Sequence, residues 1–187
     1  SSSAISDTRS LQKSRRNISS FLLSQQTKYT VFQMSICTDA SQYTNDHSVE
    51  LAWAMKAYDH AEIYFNLISS LDCTDLNFTS HDNEIYNKFK TEMKDLKIDK
   101  LNLDDLKTQA SKDRWRPFCE FFKGLVEDYN FGTLLRIDSA KGISDDNTTL
   151  VPRIQFWAIE IARNREGLNR QLLPNKEKMI QTSDLKA

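Results

Sequence analysis

The densest polar run in this chain is EIARNRE, Glu160 to Glu166, and the preceding residues supply Arg114, Arg116, Arg136 and Arg153. A guanidinium presents five N–H donors in one rigid plane. That suits it to fixed contacts with carboxylates and backbone carbonyls rather than to proton transfer. Three readings of the run stay open: solvated helix-surface pairs such as Glu160 with Arg163 and Glu166 with Arg163, a protein-binding surface, or a buried ion-pair network that sets how helices meet. The candidate partner-binding residues are Arg136, Arg153, Arg163, Arg165 and Glu166. Two positions on a helix are roughly 200° apart, so Arg163 and Arg165 do not share the centre of one face. One of them is expected to hold the fold, paired with an acid such as Glu127 or Asp128, while the other reaches a partner.

Other chemistry leaves little trace. Four scattered glycines make neither a dinucleotide-binding loop nor a P-loop, and no H-E-x-x-H, paired C-x-x-C or G-x-S-x-G occurs. His47, His60 and His81 are too dispersed to suggest a metal site; His60, beside Glu62, reads as a core or rim histidine. The adjacent acids Asp104–Asp105, Glu127–Asp128 and Asp145–Asp146 point in different directions on a helix and suit a solvated face better than an acid/base dyad. Cys37, Cys73 and Cys119 are odd in number and far apart, as expected for reduced thiols in a cytosolic protein. No catalytic, cofactor-binding or metal residue is assigned, and the chain is expected not to be an enzyme.

The elements that must position the arginines follow from apolar spacing. Val49 to Leu71 contains no Gly or Pro and reads as a central helix, with Leu51, Met55, Tyr58, Phe65 and Ile68 as one stripe and Trp53, Ala57, Tyr64 and Leu67 widening it. Thr79 and Ser80 are candidate caps for a second helix carrying Ile85, Tyr86, Phe89 and Met93, and Asn102 for a short turn before Leu106. A further helix begins near Thr108 or Ser111, is kinked or restarted by Pro117, and carries Phe118, Phe121, Phe122, Leu125 and Tyr129 until Gly132 closes it. Thr133–Asp138 and Thr148–Val151 are extended and separated by the turn-rich SAKGISDDN, which predicts one small hairpin. Pro152 then opens a last helix that ends near Arg165 to Leu168, with Gly167 as its stop signal. Trp115, Phe118, Phe122, Trp157 and Ile161 are expected to share one core.

With 25 basic against 26 acidic residues, the chain has no bulk attraction for nucleic acid or membrane, and no apolar run reaches the length of a membrane span. Residues 1 to 45 are Ser-rich and basic, like a transit peptide, but Met34 as the natural start explains them more plainly. The sequons at Asn17, Asn77 and Asn147 are read as chance. The fold expected is mainly α: a single-domain orthogonal helical bundle over residues 46–171 with one short β-hairpin, flanked by a disordered or non-native extension at 1–45 and a disordered tail at 172–187.

The strings ELAWAMKAYDHAEIYFNLISSLD, DNEIYNKF, DLKID, DRWRPFCEFF, VEDYNFGTLLRID and PRIQFWAIEIARNREGLN, which cover most of Glu50 to Asn169, resemble the polysaccharide biosynthesis domain-containing proteins of eukaryotes and their small yeast relative. The resemblance implies a mainly helical cytosolic domain acting as a client-specific chaperone. Its client would be newly made or nucleotide-free elongation factor 1-alpha, protected at its GTP-binding domain until folded, with the ribosome as a further candidate contact and no nucleic acid or membrane partner. It carries over no catalytic residues. The alternative, taken from the family's name, is a transferase in polysaccharide biosynthesis; the shortage of glycine and the lack of a strand-helix nucleotide site count against it.

Overall fold

A computed structural model describes residues 47–174, with side chains from residue 52 onward. The expectations placed on residues 1–46 and 175–187, including Cys37, Met34 and both tails, lie outside the described residues. The first helix, α1 (His47–Ser70), is the predicted central one. Its buried seam is Ala54, Ala57, Ala61, Tyr64 and Ile68, spaced by three and four residues. Met55, expected in that stripe, is 58% exposed. The small alanines take the inside instead because they let the helix backbone approach Leu134 and Leu150 of the hairpin, where Ala54 and Ala61 form a second apolar cluster.

Helix α2 (Asp82–Glu92) buries Ile85 and Phe89. Thr79, an expected cap, instead accepts from the His81 amide at 3.1 Å and donates to Asp82 at 2.6 Å. The Asp82 carboxylate is the true staple of this turn, accepting from the amides of Phe78 at 2.6 Å and Thr79 at 2.7 Å. At the short helix α3 (Asp104–Lys107) the N-cap position falls to Leu103 rather than Asn102, whose Oδ1 accepts from the Asp104 amide at 3.1 Å from one residue earlier. Thr108 caps α4 (Gln109–Phe121), its hydroxyl oxygen accepting from the Ser111 amide.

Two expectations about α4 are corrected. The helix is continuous through Pro117, whose ring is exposed, and it does not restart there. It also stops ten residues sooner than Gly132 would place its end, because the chain turns at Gly124 (φ +79°) and Asp128 (φ +51°), which lie in the left-handed region. Leu125 is turned out of the core, 44% exposed, and Phe121, on the outer side of the last helical turn, is 47% exposed. Trp115, Phe118, Phe122 and Ile161 share one core cluster, with Trp157 packed against it.

The predicted hairpin forms as β1 (Gly132–Arg136) and β2 (Thr148–Pro152), antiparallel, with Gly132 opposite Pro152 and Arg136 opposite Thr148. Every position in both strands is buried, since α1 covers the Leu134–Leu150 side while Leu135 and Val151 enter the main core. Asn147 holds the connection: its Oδ1 accepts from the Asp138 amide, and its Nδ2 donates to the carbonyls of Asp138 and Gly142. The segment before α3, irregular in sequence, lies along the end of β1: Leu101 N donates to Ile137 O, and Ser139 N to Asp99 O.

Pro152 caps the last long helix, α5 (Arg153–Arg165), one position before the helix proper. Ten of its thirteen residues are buried, so it has almost no solvated face. Gly167, at φ +73°, ends it, and a 3₁₀ turn over Leu168–Leu172 folds back toward α1. Leu172 packs on the core and Leu173 is buried, so the ordered domain continues beyond the expected limit at residue 171.

Candidate functional site

Because α5 is surrounded, its polar residues must satisfy one another. The Glu160 carboxylate, fully buried, accepts from Arg163 Nη1 at 2.7 Å, from Arg136 Nη2 at 3.2 and 3.3 Å, from Asn169 Nδ2 at 3.0 Å and from the Tyr64 hydroxyl at 3.1 Å. Asn164 closes the ring by donating to Tyr64 Oη at 2.9 Å and accepting from Asn169 at 2.6 Å. Two guanidiniums against one carboxylate leave a buried positive charge, which carbonyl oxygens offset. Arg163 donates to Ile98 O at 2.7 Å, Arg136 O at 2.9 Å and Ile137 O at 3.1 Å, while Arg136 donates to Ser139 O at 2.8 Å. Through Arg163 the last helix is tied to the end of β1 and to the segment beside it.

Burial alone would raise the Glu160 carboxyl, but Arg136 and Arg163, with the Arg163 and Asn169 hydrogen bonds, hold it down at about 2. Burial pulls Arg163 downward, against the attraction of Glu160; a guanidinium starts so far above neutrality that it stays charged. The Tyr64 hydroxyl is pushed well up by burial and by the Glu160 charge, and so remains a donor. The network is a fixed polar core with its protons settled.

The candidate arginines therefore divide. Arg136 and Arg163, at 4% and 0% exposure, are removed from any partner surface: each is consumed by Glu160 and backbone carbonyls. The expected acid partners of the structural arginine are also corrected. Asp128 pairs with Arg153 at 3.4 Å, and Arg153 lies over the Phe131 ring. Glu166 pairs with Lys90 at 2.7 Å rather than with Arg163. Arg114 binds Asp95 and Arg116 binds Asp113, both away from this cluster. His60 is a rim histidine, edge-on to Phe156 and Trp157 and parallel to Tyr64; burial and then Arg153 lower its pKa.

Arg165 and Glu166 remain at the surface, between the inward anchors Arg163, Asn164 and Asn169. Arg165 Nη2 donates to Asn83 Oδ1 at 2.8 Å, and its guanidinium lies 4.9 Å from the Tyr86 ring centre. With Thr74, Asp75, Leu76, Asn77 and Asn83 it lines an open cleft of about 360 Å³. Leu76, 43% exposed, lies in the loop that forms one wall, and Leu71, 54% exposed, precedes that loop in the chain. Among the described residues no group of three or more His, Cys, Asp or Glu side chains is placed to hold a metal ion, and no helix is long and apolar enough to cross a membrane.

The sequence profile described as PBDC1 protein matches residues 49–173. The chain belongs to the PBDC1 protein family. It is 52% identical over 131 residues to Protein PBDC1 of Homo sapiens, covering 70% of this chain and 56% of that protein. It thus spans little more than half the length of its human relative. The Protein PBDC1 homolog of Saccharomyces cerevisiae is 39% identical over 142 residues, which cover 74% of this chain and 97% of the homolog. A solution NMR structure of a Saccharomyces cerevisiae protein superposes with a TM-score of 0.64 at 37% identity, covering 72% of this chain and 96% of the other. These are the family and the yeast relative that the strings in Glu50 to Asn169 resemble.

Reading the sequence missed Tyr64, Asn164 and Asn169 as members of the polar core. One signal was present: Ile154, Phe156, Ala158, Ile159, Ile161 and Ala162 point to every side of the last helix, which leaves Glu160, Arg163 and Asn164 nowhere to be solvated.

Proposed function

We propose that this chain is a client-specific folding chaperone that engages newly made, nucleotide-free elongation factor 1-alpha at its GTP-binding domain, in the cytoplasm and close to the ribosome. The reading starts from the resemblance of Glu50 to Asn169 to its family. The observation that carries it to a surface is Arg165: a charged, well-supported side chain with neutral partners, sharing a cleft with the exposed Leu76 at the end of a locked helix. A holding function needs such a mixed apolar and charged face on a scaffold that does not yield.

The test is affinity capture of the full chain from cells during active translation, with mass spectrometry of what is bound. Elongation factor 1-alpha is expected as the dominant partner, enriched when elongation is stalled and depleted when the captured material is loaded with GTP. Recovery without a dominant partner sinks the reading. Heat release with nucleotide sugars or S-adenosylmethionine in isothermal titration would turn it toward the transferase alternative.

A further inference from the structure

We propose that the cleft between Arg165 and the Thr74–Asn77 loop receives a single carboxylate side chain carried by an extended peptide segment. The argument begins with charge. Four nearby acids are engaged elsewhere, Glu166 by Lys90 at 2.7 Å, Asp72 by Arg170 at 2.9 Å, Glu84 by His81 at 3.2 Å, and Asp82 by the amides of Phe78 and Thr79, while Asp75 lines the cleft without an ion pair to Arg165. Arg165 keeps one neutral hydrogen bond, to Asn83, and one aromatic face, Tyr86. Among the described residues, no carboxylate is bonded to its remaining donors at the cleft lip.

The cleft is also built before anything enters it. Its loop is fixed at one end by Asp72, which accepts from the Thr74 amide at 3.0 Å and hydroxyl at 2.6 Å, and at the other by Asp82. Asn83 and Tyr86 hold the guanidinium plane, so little rotamer freedom is lost when a carboxylate arrives. Amide side chains, such as those of Asn77 and Asn83 on the walls, both donate and accept, which matches the alternating N–H and C=O groups of an extended main chain. Asp75 lines the same cleft and opposes any anion, a doubly charged phosphate or a polyanion more than a single carboxylate. For the source of the segment the inference rests on the client reading, but its test omits the client, so either can fail alone.

The probes are four short, terminally blocked alanine-based peptides titrated into the isotope-labelled full chain: one with a central glutamate, one with glutamine there, one with phosphoserine, and one whose sole carboxylate is a free C terminus. The glutamate peptide is expected to bind about fivefold more tightly than the glutamine peptide at low salt. Shifts should concentrate on Arg165 Nε–H and on the side-chain amides of Asn77 and Asn83. Arg165→Gln should remove the preference while the spectrum keeps its dispersion. Equal binding of the glutamate and glutamine peptides by the unaltered chain overturns the proposal, as do shifts centred elsewhere. Tighter binding of phosphoserine, or of the free C terminus, overturns the assignment to a side-chain carboxylate.

Discussion

Glu160 and Arg163 sit one turn apart on the last long helix, 2.7 Å from Oε1 to Nη1, and neither is exposed to solvent. An i,i+3 pair of this kind on a wet helix face contributes only tenths of a kcal/mol. Enclosed by β1, α1 and the Leu168–Leu172 turn, it decides whether the hairpin and the helix can meet at all. Removing either partner strands a buried charge, which costs about 3 to 5 kcal/mol. Arg163→Ala and Glu160→Ala are each expected to lower the melting temperature steeply, since about 1 kcal/mol moves it by roughly 2 to 4 °C in a chain of this size. Normal melting of either variant would place the pair outside the folded core.

The same pair predicts an acid dependence. The folded Glu160 carboxyl, at about 2, lies below an ordinary glutamate, so its contribution is complete above pH about 5 and is lost as the pH falls toward 2. The stability difference between the natural chain and Glu160→Gln should be constant from pH 7 to 5 and shrink by on the order of 3 kcal/mol below that. The exposed acids Asp72 and Asp95, also lowered, are present in both proteins and cancel. Urea melts at several pH values measure it, and a difference that stays flat down to pH 2 refutes the assignment.

Adjacent phenylalanines offer a sharper contrast. Phe122 is fully buried against Phe118, while Phe121 is 47% exposed beneath the ammonium of Lys88. Phe122→Ala should cost about 3 to 5 kcal/mol, and Phe121→Ala less than about 1.5 kcal/mol. Comparable losses from the two would mean that α4 continues past Phe121.

These pairs also show what was legible in the sequence. The period of large apolar residues located α1, α2, α4, α5 and the hairpin, because burial of one face is what makes such segments fold. It failed at Met55 and Leu125, where the largest side chain in reach is not the one inside: Ala54, Ala57 and Ala61 win the seam by being small enough for close approach, and the turn at Gly124 rotates Leu125 outward. The polar residues were harder still. Whether Arg163 lies inside or outside depends on how many neighbours cover its helix, a tertiary fact that adjacent residues hint at without stating. The 100-residue separation of Tyr64 and Asn164, joined at 2.9 Å, has no local signature.

Gly167 tests how the chain leaves α5 beside Arg165 and Glu166. Its φ of +73° is open to glycine and strained for a Cβ-bearing residue, and the Arg170 side chain lies 3.5 Å from where that Cβ would stand. Gly167→Ala is expected to cost about 1 kcal/mol through the backbone alone, seen as a drop of a few degrees in melting temperature. An unchanged or raised value would show that the chain leaves α5 by another route.

Charge reversal separates the two arginines that the sequence set side by side. Arg163→Glu puts two carboxylates against each other in a dry core and takes the guanidinium donors away from the carbonyls of Ile98, Arg136 and Ile137, so the folded domain should be largely lost. Arg165→Glu breaks one exposed hydrogen bond and one ring contact, and should melt within about 1 kcal/mol of the natural chain. If the end of α5 is the client surface, that well-folded variant loses elongation factor 1-alpha in capture from translating cells, and the loss deepens when Leu76 is also changed to Asp. Lys90→Ala, which frees Glu166 on the same face, should weaken capture less than Arg165→Glu, because it removes a charge already neutralised in the free protein. Full capture by Arg165→Glu, with melting unchanged, would move the client surface away from this end of the helix and leave the exposed Phe121 and Leu125 as the next apolar surface to vary.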